Sequence, residues 1–223
     1  MQPFVHAQAS ATKSGRRWED DLPIHEFMDL AKHACPDLRH RLLLHNVDLG
    51  PRLAAMAFPE RLDAAEVARS HVRQDLGWLP PLGAWLERCD RDKLPHSRMA
   101  VTGGREIVQS AVEHYRLGDA KPIQQVWDLL NLPVAFAPEV PEMAGLLLMN
   151  SVGPILARAV LGPPRHFPRK SGSEAIVDFG WVAEGMIVAR IGTIYSLERV
   201  LACFDGKEPV EPGPSDFAVG PVR

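Results

Sequence analysis

The sequence predicts a mainly α-helical protein, with a compact N-terminal helical bundle and a C-terminal helical region whose connectors are rich in proline and glycine. Three observations lead to this fold class. Apolar residues recur at helical spacing in the first half, as at Ile24, Met28 and Ala31. Prolines and glycines fall between such segments and mark their ends. Hydrophobic residues make up 46% of the chain, which is enough to bury a sizeable core.

The first two helices of the bundle have recognisable start signals. Asp20 or Asp21 can cap the first helix, and Pro23 suits a first helical turn because proline has no N–H to satisfy there. Asp37 is a candidate N-cap for the second helix. Gly50-Pro51 should bend or break this second helix.

The third helix carries the clearest signals. Asp63 precedes it and Glu66 follows three residues later, which is the spacing of a capping box, while Gly77 closes the helix. A charged stretch without apolar periodicity comes soon afterwards. We therefore predict a His-rich helical domain over residues 1–90, with residues 91–98 as a linker.

The second half, residues 99–223, is predicted to be an apolar helical region with an extended tail. Residues 143–161 are predicted to form a helix bent near Gly153-Pro154. For residues 175–204 we favour helices, although the segments IVDF and MIVARIGTIY are also compatible with strands. No internal repeat is apparent.

The apolar stretches of residues 140–204 indicate burial or an interface. Polar or charged residues interrupt each stretch, whereas a membrane span needs roughly 20 predominantly apolar residues. We therefore expect no transmembrane span, and a protein partner or homo-oligomer contact through this region. The net charge of −3 argues against nucleic acid as a partner, because phosphate binding needs clustered Lys and Arg.

Cysteine usage bears on the cellular location. Cys35, Cys89 and Cys203 lie far apart and form no CxxC motif, and the N-terminus has no apolar run like that of a signal peptide. These features favour a cytoplasmic location, where thiols stay reduced. Neither GxGxxG nor GxxxxGK[ST] occurs, so we expect no nucleotide cofactor.

Histidines are concentrated in residues 20–50, which hold four of the nine in the chain. His25 and Asp29 are four residues apart, so on a helix they share one face, and His71 and Asp75 repeat this spacing. Two such pairs on neighbouring helices can converge on one divalent ion. Ligation by imidazole and carboxylate suits zinc, iron or manganese.

His40 and His45 lie between the two pairs in the sequence. On a regular helix a spacing of five places them about 140° apart, so one can be a ligand while the other supports it, unless a kink brings them together. The same groups can transfer protons without a metal. The alternative to any site is a set of histidines satisfied separately in the core or at the surface.

Two arginines flank His40. Arg39 and Arg41 can hold a phosphate or a carboxylate by forked hydrogen bonds, which makes them candidate anion-binding residues. The alternative is that they form ion pairs with nearby acids, namely Asp37, Glu26 or Asp48.

Four separated motifs occur in one order: H-A-x-x-S, L-P-I-H-x-x-x-D, R-H-R-x-x-x-H and S-H-V-x-x-D-L-G. On these motifs, residues 4–87 resemble a family of bacterial and phage proteins known as domain of unknown function 6915. The positions that match its recurring polar residues are His6, His25, Asp29, Lys32, Arg39, His40, Arg41, His45, His71 and Asp75.

The chain also departs from that family. Its members carry an aromatic residue at the position of Asp21 and a Gly-Ile-Phe-like run at residues 48–50. Many of them stop near the end of the match, so the resemblance does not cover residues 98–223. It implies no activity, but it makes the histidine spacings less easily attributed to chance.

Two functions from different classes follow. The first is a helical metal-binding protein, which can be a metal-dependent hydrolase. The second is a structural or interaction subunit of a larger bacterial or phage assembly, docked through its C-terminal half. The two are compatible, with metal bound by the first half and a partner held by the second.

Overall fold

The computed structural model describes residues 2–95 and 103–211 of the chain, and it confirms the mainly α-helical fold. In the first of these ranges, short 3₁₀ helices occupy Leu30–His33, Leu38–His40 and Arg91–Lys93. The α-helices of this range are α1 (Pro3–Ser14), α2 (Trp18–Met28), α3 (Arg41–Leu44), α4 (Leu49–Ala57), α5 (Ala64–Leu76) and α6 (Leu82–Leu86).

The second range is also mainly helical and carries one antiparallel hairpin, formed by β1 (Arg165–Pro168) and β2 (Glu174–Val177). The segment IVDF therefore begins in a strand, whereas MIVARIGTIY begins in a helix. The α-helices are α7 (Gly104–Tyr115), α8 (Lys121–Phe136), α9 (Pro141–Leu146), α10 (Gly153–Leu161), α11 (Phe179–Ile191) and α12 (Leu197–Leu201).

Helix α5 has the predicted limits but not the predicted capping box. It starts after Asp63 and ends at Gly77, whose φ of 80° is the left-handed conformation that glycine adopts at little cost. The Asp63 carboxylate makes no cap to the helix, because it pairs with Arg61 at 3.0 Å and with Arg16.

The predicted second helix is interrupted earlier than expected, at residues 45–48. The Asn46 side chain donates to the carbonyls of Leu42 and Leu43 and accepts from the Leu49 N–H, which organises a turn between α3 and α4. Gly50-Pro51 then lies in the first turn of α4 instead of ending a helix. This turn places His45 at the C-cap of α3. His40 and His45 therefore do not lie on one regular helix, and the predicted angle of about 140° between them does not apply.

The two halves repeat one arrangement of helices, contrary to the expectation of no internal repeat. Helices α1 and α7 have 12 residues each, α5 and α11 have 13, and α6 and α12 have five. The packing repeats as well. In the first half α1 packs on α2, α2 on α5 and α5 on α4, as α7 does on α8, α8 on α11 and α11 on α10 in the second.

Sequence traces of this repeat are short. The segments LLLHN and LLLMN each precede a Gly-Pro pair that starts the next helix, α4 or α10. Asp63 and Gly77 bracket α5 as Asp178 and Gly192 bracket α11. The hairpin of β1 and β2 is inserted between α10 and α11, where the first half has a short turn. The two halves therefore share one order and packing of helices, although α8 is longer than α2 and α9 is longer than α3.

The two halves share one hydrophobic core. Helix α4 packs against its counterpart α10, and buried residues such as Leu53, Trp85, Leu130 and Phe179 belong to one cluster. The boundary at residues 91–98 stays a prediction, since residues 96–98 lie outside the described part, as do residues 212–223 of the tail.

Most of the apolar stretch at residues 140–204 is buried in this core, with α10 packed on α11. Across residues 2–95 and 103–211, no helix has both the length and the apolar character needed to cross a membrane.

Candidate metal centre

A cluster of histidines and aspartates lies inside the first half. The predicted residues His25, His45 and His71 are fully buried, and His40 and Asp29 are nearly so. They come from α2, from the segment around α3 and from α5. Helix α2 packs on α5, and the 3₁₀ helix Leu30–His33 contacts both α2 and α3. The sequence-predicted ligands are therefore brought together, although they do not all face one point.

Four of these residues converge. Asp29 Oδ1 lies 3.8 Å from both His45 Nε2 and His71 Nε2, and the two imidazole nitrogens are 3.1 Å apart. Asp75 Oδ2 lies 3.2 Å from His45 Nε2 and 4.0 Å from His71 Nε2. One ligand atom from each of the four residues lies within 4.8 Å of the others. Tetrahedral bonds of 2.0–2.2 Å place ligand atoms about 3.4 Å apart, so these separations are close to those around one ion.

Local structure explains the convergence. His71 and Asp75 are one turn apart on α5 and share a face, as predicted. Asp29 is the C-cap of α2, one residue beyond the helix. His45 is the C-cap of α3, placed by the Asn46 turn. Two of the four side chains therefore depend on helix ends, which are harder to predict from spacing.

His25 and His40 lie beside this group and not in it. His25 Nδ1 is 2.9 Å from His71 Nδ1, on the far side of the His71 ring, and His25 Nε2 is 3.1 Å from Ser10 Oγ. His40 Nε2 is 3.9 Å from Asp29 Oδ1, and its Nδ1 contacts the carbonyl of Asp37. His25 therefore supports His71, and His40 borders Asp29.

His6 was not among the predicted ligands, although it belongs to the H-A-x-x-S motif. Its Nε2 lies 3.0 Å from Asp75 Oδ1, and its Nδ1 lies 2.7 Å from Gln74 Oε1. The spacing within the sequence gave His6 no partner, because α1 reaches α5 only in the folded chain. The order of the family motifs was the signal that could have included it.

The two flanking arginines differ in their surroundings. Arg39 donates forked hydrogen bonds to the Asp37 carboxylate. These bonds hold the pKa of Asp37 well below its usual range. Arg39 therefore forms an ion pair with a nearby acid, which was the alternative to anion binding. Arg41 instead turns toward the cluster, with Nη2 3.1 Å from Asp75 Oδ2, and its Nη1 contacts the carboxylate of Glu208. Neither of Arg41's partners was foreseen.

Burial favours the neutral imidazoles of His71 and His25. It lowers the pKa of His71 well below 6.5, an effect reinforced by His45, His6 and His25, and it lowers the pKa of His25 to about 4. Burial alone would raise the pKa of Asp75. Hydrogen bonds from His45 and His6, together with the charge of Arg41, hold that pKa well below its usual range. Neutral imidazole and ionised carboxylate are the forms that bind metals.

Two buried atoms of the convergent group have no hydrogen-bond partner in the described part of the chain. They are Asp29 Oδ2 and His45 Nδ1. Burying a carboxylate oxygen without a partner costs about 1–3 kcal/mol or more, which the fold must offset elsewhere. A cation beside Asp29 would offset that cost.

The second half keeps the helices but not the ligands. Its residues at the positions of His45 and His71 are Met149 and Met186, and Arg190 stands at the position of Asp75. Within residues 2–95 and 103–211, the group around Asp29 is the one that can hold a metal ion.

Comparison with known proteins agrees with the resemblance noted in the sequence. Residues 1–94 match the model of a family described as a domain of unknown function (DUF6915). No curated protein and no solved structure matches the chain. The matched segment contains the whole convergent group, whereas Glu208 lies outside it.

Proposed function

We propose that the first half of this chain, the part that matches the domain of unknown function, binds one divalent transition metal ion. The ligands are Asp29, His45, His71 and Asp75. The observation that carries the proposal is the convergence of four buried ligand atoms, two imidazole nitrogens and two carboxylate oxygens, within 4.8 Å. This donor set suits zinc, iron or manganese.

The surroundings support His71 as a ligand. An ion at His71 Nε2 requires the ring proton on Nδ1, which can then donate to His25 Nδ1 at 2.9 Å. His25 in turn places its own proton on Nε2, 3.1 Å from Ser10 Oγ. This relay fixes the orientation and the tautomer of the ligand, as partners of metal-bound histidines commonly do.

Hydrolysis is the reaction class we assign to the site. A bound divalent ion would lower the pKa of a water molecule and polarise an acyl or phosphoryl oxygen. The chain's own contribution is to orient the ligands and to place Arg41 beside Asp75, where the guanidinium can hold an anionic group.

Elemental analysis of the purified full chain tests the metal site. After chelation and reloading with zinc, manganese or ferrous iron, we expect one ion per chain. His71→Ala should abolish binding. His25→Ala should weaken binding by about 10- to 100-fold, because His25 only supports His71. His114→Ala, on the exposed face of α7, is the matched control and should bind normally. A chain that retains no metal, or an H71A protein that retains it, contradicts the proposal.

A second function is favoured by one surface. Trp181 and Val188 are two turns apart on α11, and they are 65% and 46% exposed. Trp181 lines a groove of about 290 Å³ between α7 and α11. We propose that this face binds a second copy of the chain. Light scattering should give a dimer for the natural chain and a monomer for W181S, whereas a natural monomer contradicts this contact.

A further inference from the structure

The outer side of the candidate metal centre is closed by a carboxylate from the far end of the chain. Exposure of the side chains rises along one line, from 5% for Asp75 to 13% for Arg41 and 34% for Glu208. Arg41 joins the two acids, because Nη2 contacts Asp75 and Nη1 contacts Glu208. Glu208 is therefore the outermost and Asp75 the innermost of three side chains in contact.

We propose that Arg41 is the anion subsite of this centre, that it binds the carboxylate group of a substrate, and that Glu208 occupies the subsite as an internal substitute. The inference rests on the proposed metal site and adds the substrate class to it. It is carried by the geometry of the Arg41 contacts and by the origin of Glu208, 167 residues further along the chain.

Arg41 has hydrogen-bonding capacity that its present partners leave unused. Its Nε is buried without a hydrogen-bond partner among the described residues, while each Nη group contacts one acid. A guanidinium group offers five N–H donors in a planar fork that matches the two oxygens of a carboxylate. A substrate carboxylate at the position of Glu208 can accept from Nη1 and from the second N–H of Nη2, which together form the outer fork of the guanidinium.

Glu208 is held by few contacts, so it can leave without disrupting the core. Its segment has no regular secondary structure. The segment is fastened by the pair of Arg88 and Asp205 at 2.9 Å and by a hydrogen bond of 3.1 Å from Trp78 Nε1 to the carbonyl of Pro209. Both contacts lie beyond the Arg41 subsite and can remain when the Glu208 side chain turns to solvent.

Charge selects the ligand. A divalent ion balanced by Asp29 and Asp75 is neutral, so Arg41 leaves one positive charge, which Glu208 neutralises. Displacement of Glu208 exposes this charge beside the ion, where a group with one negative charge is favoured. A carboxylate meets this condition and has the same shape as the group it replaces.

Acetate binding to the metal-loaded full chain tests the subsite. Affinity is read from the rise in melting temperature with acetate concentration, against chloride at equal ionic strength. E208Q should bind acetate about tenfold more tightly or better, because it removes an intramolecular competitor whose effective concentration is of millimolar order. E211Q neutralises an exposed carboxylate of the same segment and should match the natural chain. R41K in the E208Q background should lose the gain.

Equal affinities of E208Q and E211Q, or a gain that survives in R41K/E208Q, overturn the subsite. Tighter binding of inorganic phosphate than of acetate by E208Q overturns the assignment to carboxylates. Metal content is measured on every sample. One ion per chain with no gain in E208Q therefore contradicts the subsite alone, whereas a natural chain that binds no ion contradicts the metal site.

Discussion

The two halves of the chain share one arrangement of helices, but the first half buries many more polar and charged side chains than the second. Of the eleven buried polar or charged residues in the described part of the chain, nine belong to the first half, and five of those are histidines. The second half buries Asn150 and Asp178, whose side chains bond the backbone at helix ends. The arrangement of helices itself therefore does not need a polar interior, and the polar interior of the first half calls for a functional explanation.

The largest expected effect is on metal binding, and it comes from replacing two histidines of the first half by the residues at the equivalent positions of the second half. In H45M/H71M the two imidazoles become the methionines found at these positions in the second half. Metal at 1,000 times its Kd should stabilise the natural chain by about 4 kcal/mol and the variant not at all.

The metal-free variant should be less stable than the metal-free natural chain by about 1–3 kcal/mol, because the methionines cannot make the contacts that His45 makes with buried Asp75 and that His71 makes with His25. Urea denaturation with and without zinc measures both quantities. A variant that still gains stability with zinc would contradict the equivalence of the two positions.

Acid should destabilise the first half through His25. Its pKa is about 4 in the folded protein and near 6.5 in the unfolded chain. The unfolded chain therefore binds the proton first, and stability is lost as pH falls from about 6.5 to about 4. The loss is about 3 kcal/mol.

His25→Gln removes this titration and should reduce the loss of stability between pH 7 and pH 4.5, measured by urea denaturation of metal-free protein. The contribution of His71, whose pKa is also lowered, remains. His166→Gln is the control, since His166 is exposed and paired with Glu174. Identical pH dependence in H25Q and the natural chain would contradict this role.

Equivalent glycines should respond equally in the two halves. A Cβ at Gly50 would lie 1.9 Å from the Leu44 carbonyl oxygen, and one at Gly153 would lie 2.0 Å from that of Leu148. Because backbone must move in each case, G50A and G153A should each cost roughly 2 kcal/mol or more. Unequal losses of stability in G50A and G153A, measured by thermal denaturation, would argue that Gly50 and Gly153 are not equivalent positions of a repeat.

The smallest expected effect is a gain in the second half. A Cβ at Gly185, within α11, would meet nothing within 4 Å. In the W181S background, where the proposed contact with a second copy is removed, G185A should stabilise the protein by about 0.5–1 kcal/mol, because alanine loses less backbone entropy in a helix. A loss of stability would show that this helix face is already in contact.

Features that depend on a single helix could be predicted from the sequence. The mainly helical fold, the limits of α5 and the shared face of His71 and Asp75 all follow from periodicity and end signals. Spacing also associated His25 with Asp29, but α2 ends at Met28, so only the aspartate reaches the convergent group.

Features that depend on contacts between distant segments, or on the hydrogen bonds of one side chain, could not be predicted from the sequence. His45 reaches the group because Asn46 ends α3 with side-chain hydrogen bonds, and no apolar pattern marks that turn. His6 and Glu208 become neighbours of Asp75 and Arg41 only through tertiary packing. The repeat was missed because most of the buried polar residues of one copy, His45 and His71 among them, are apolar in the other.

The two residues of the Arg41–Glu208 contact are synthesised at different times. Arg41 leaves the ribosome 167 residues before Glu208. Until then Arg41 lacks its outer carboxylate, so the nascent chain presents its ligands to ions more openly than the finished protein does. We therefore expect metal loading before Glu208 is synthesised to be faster than loading of a chain in which Glu208 contacts Arg41.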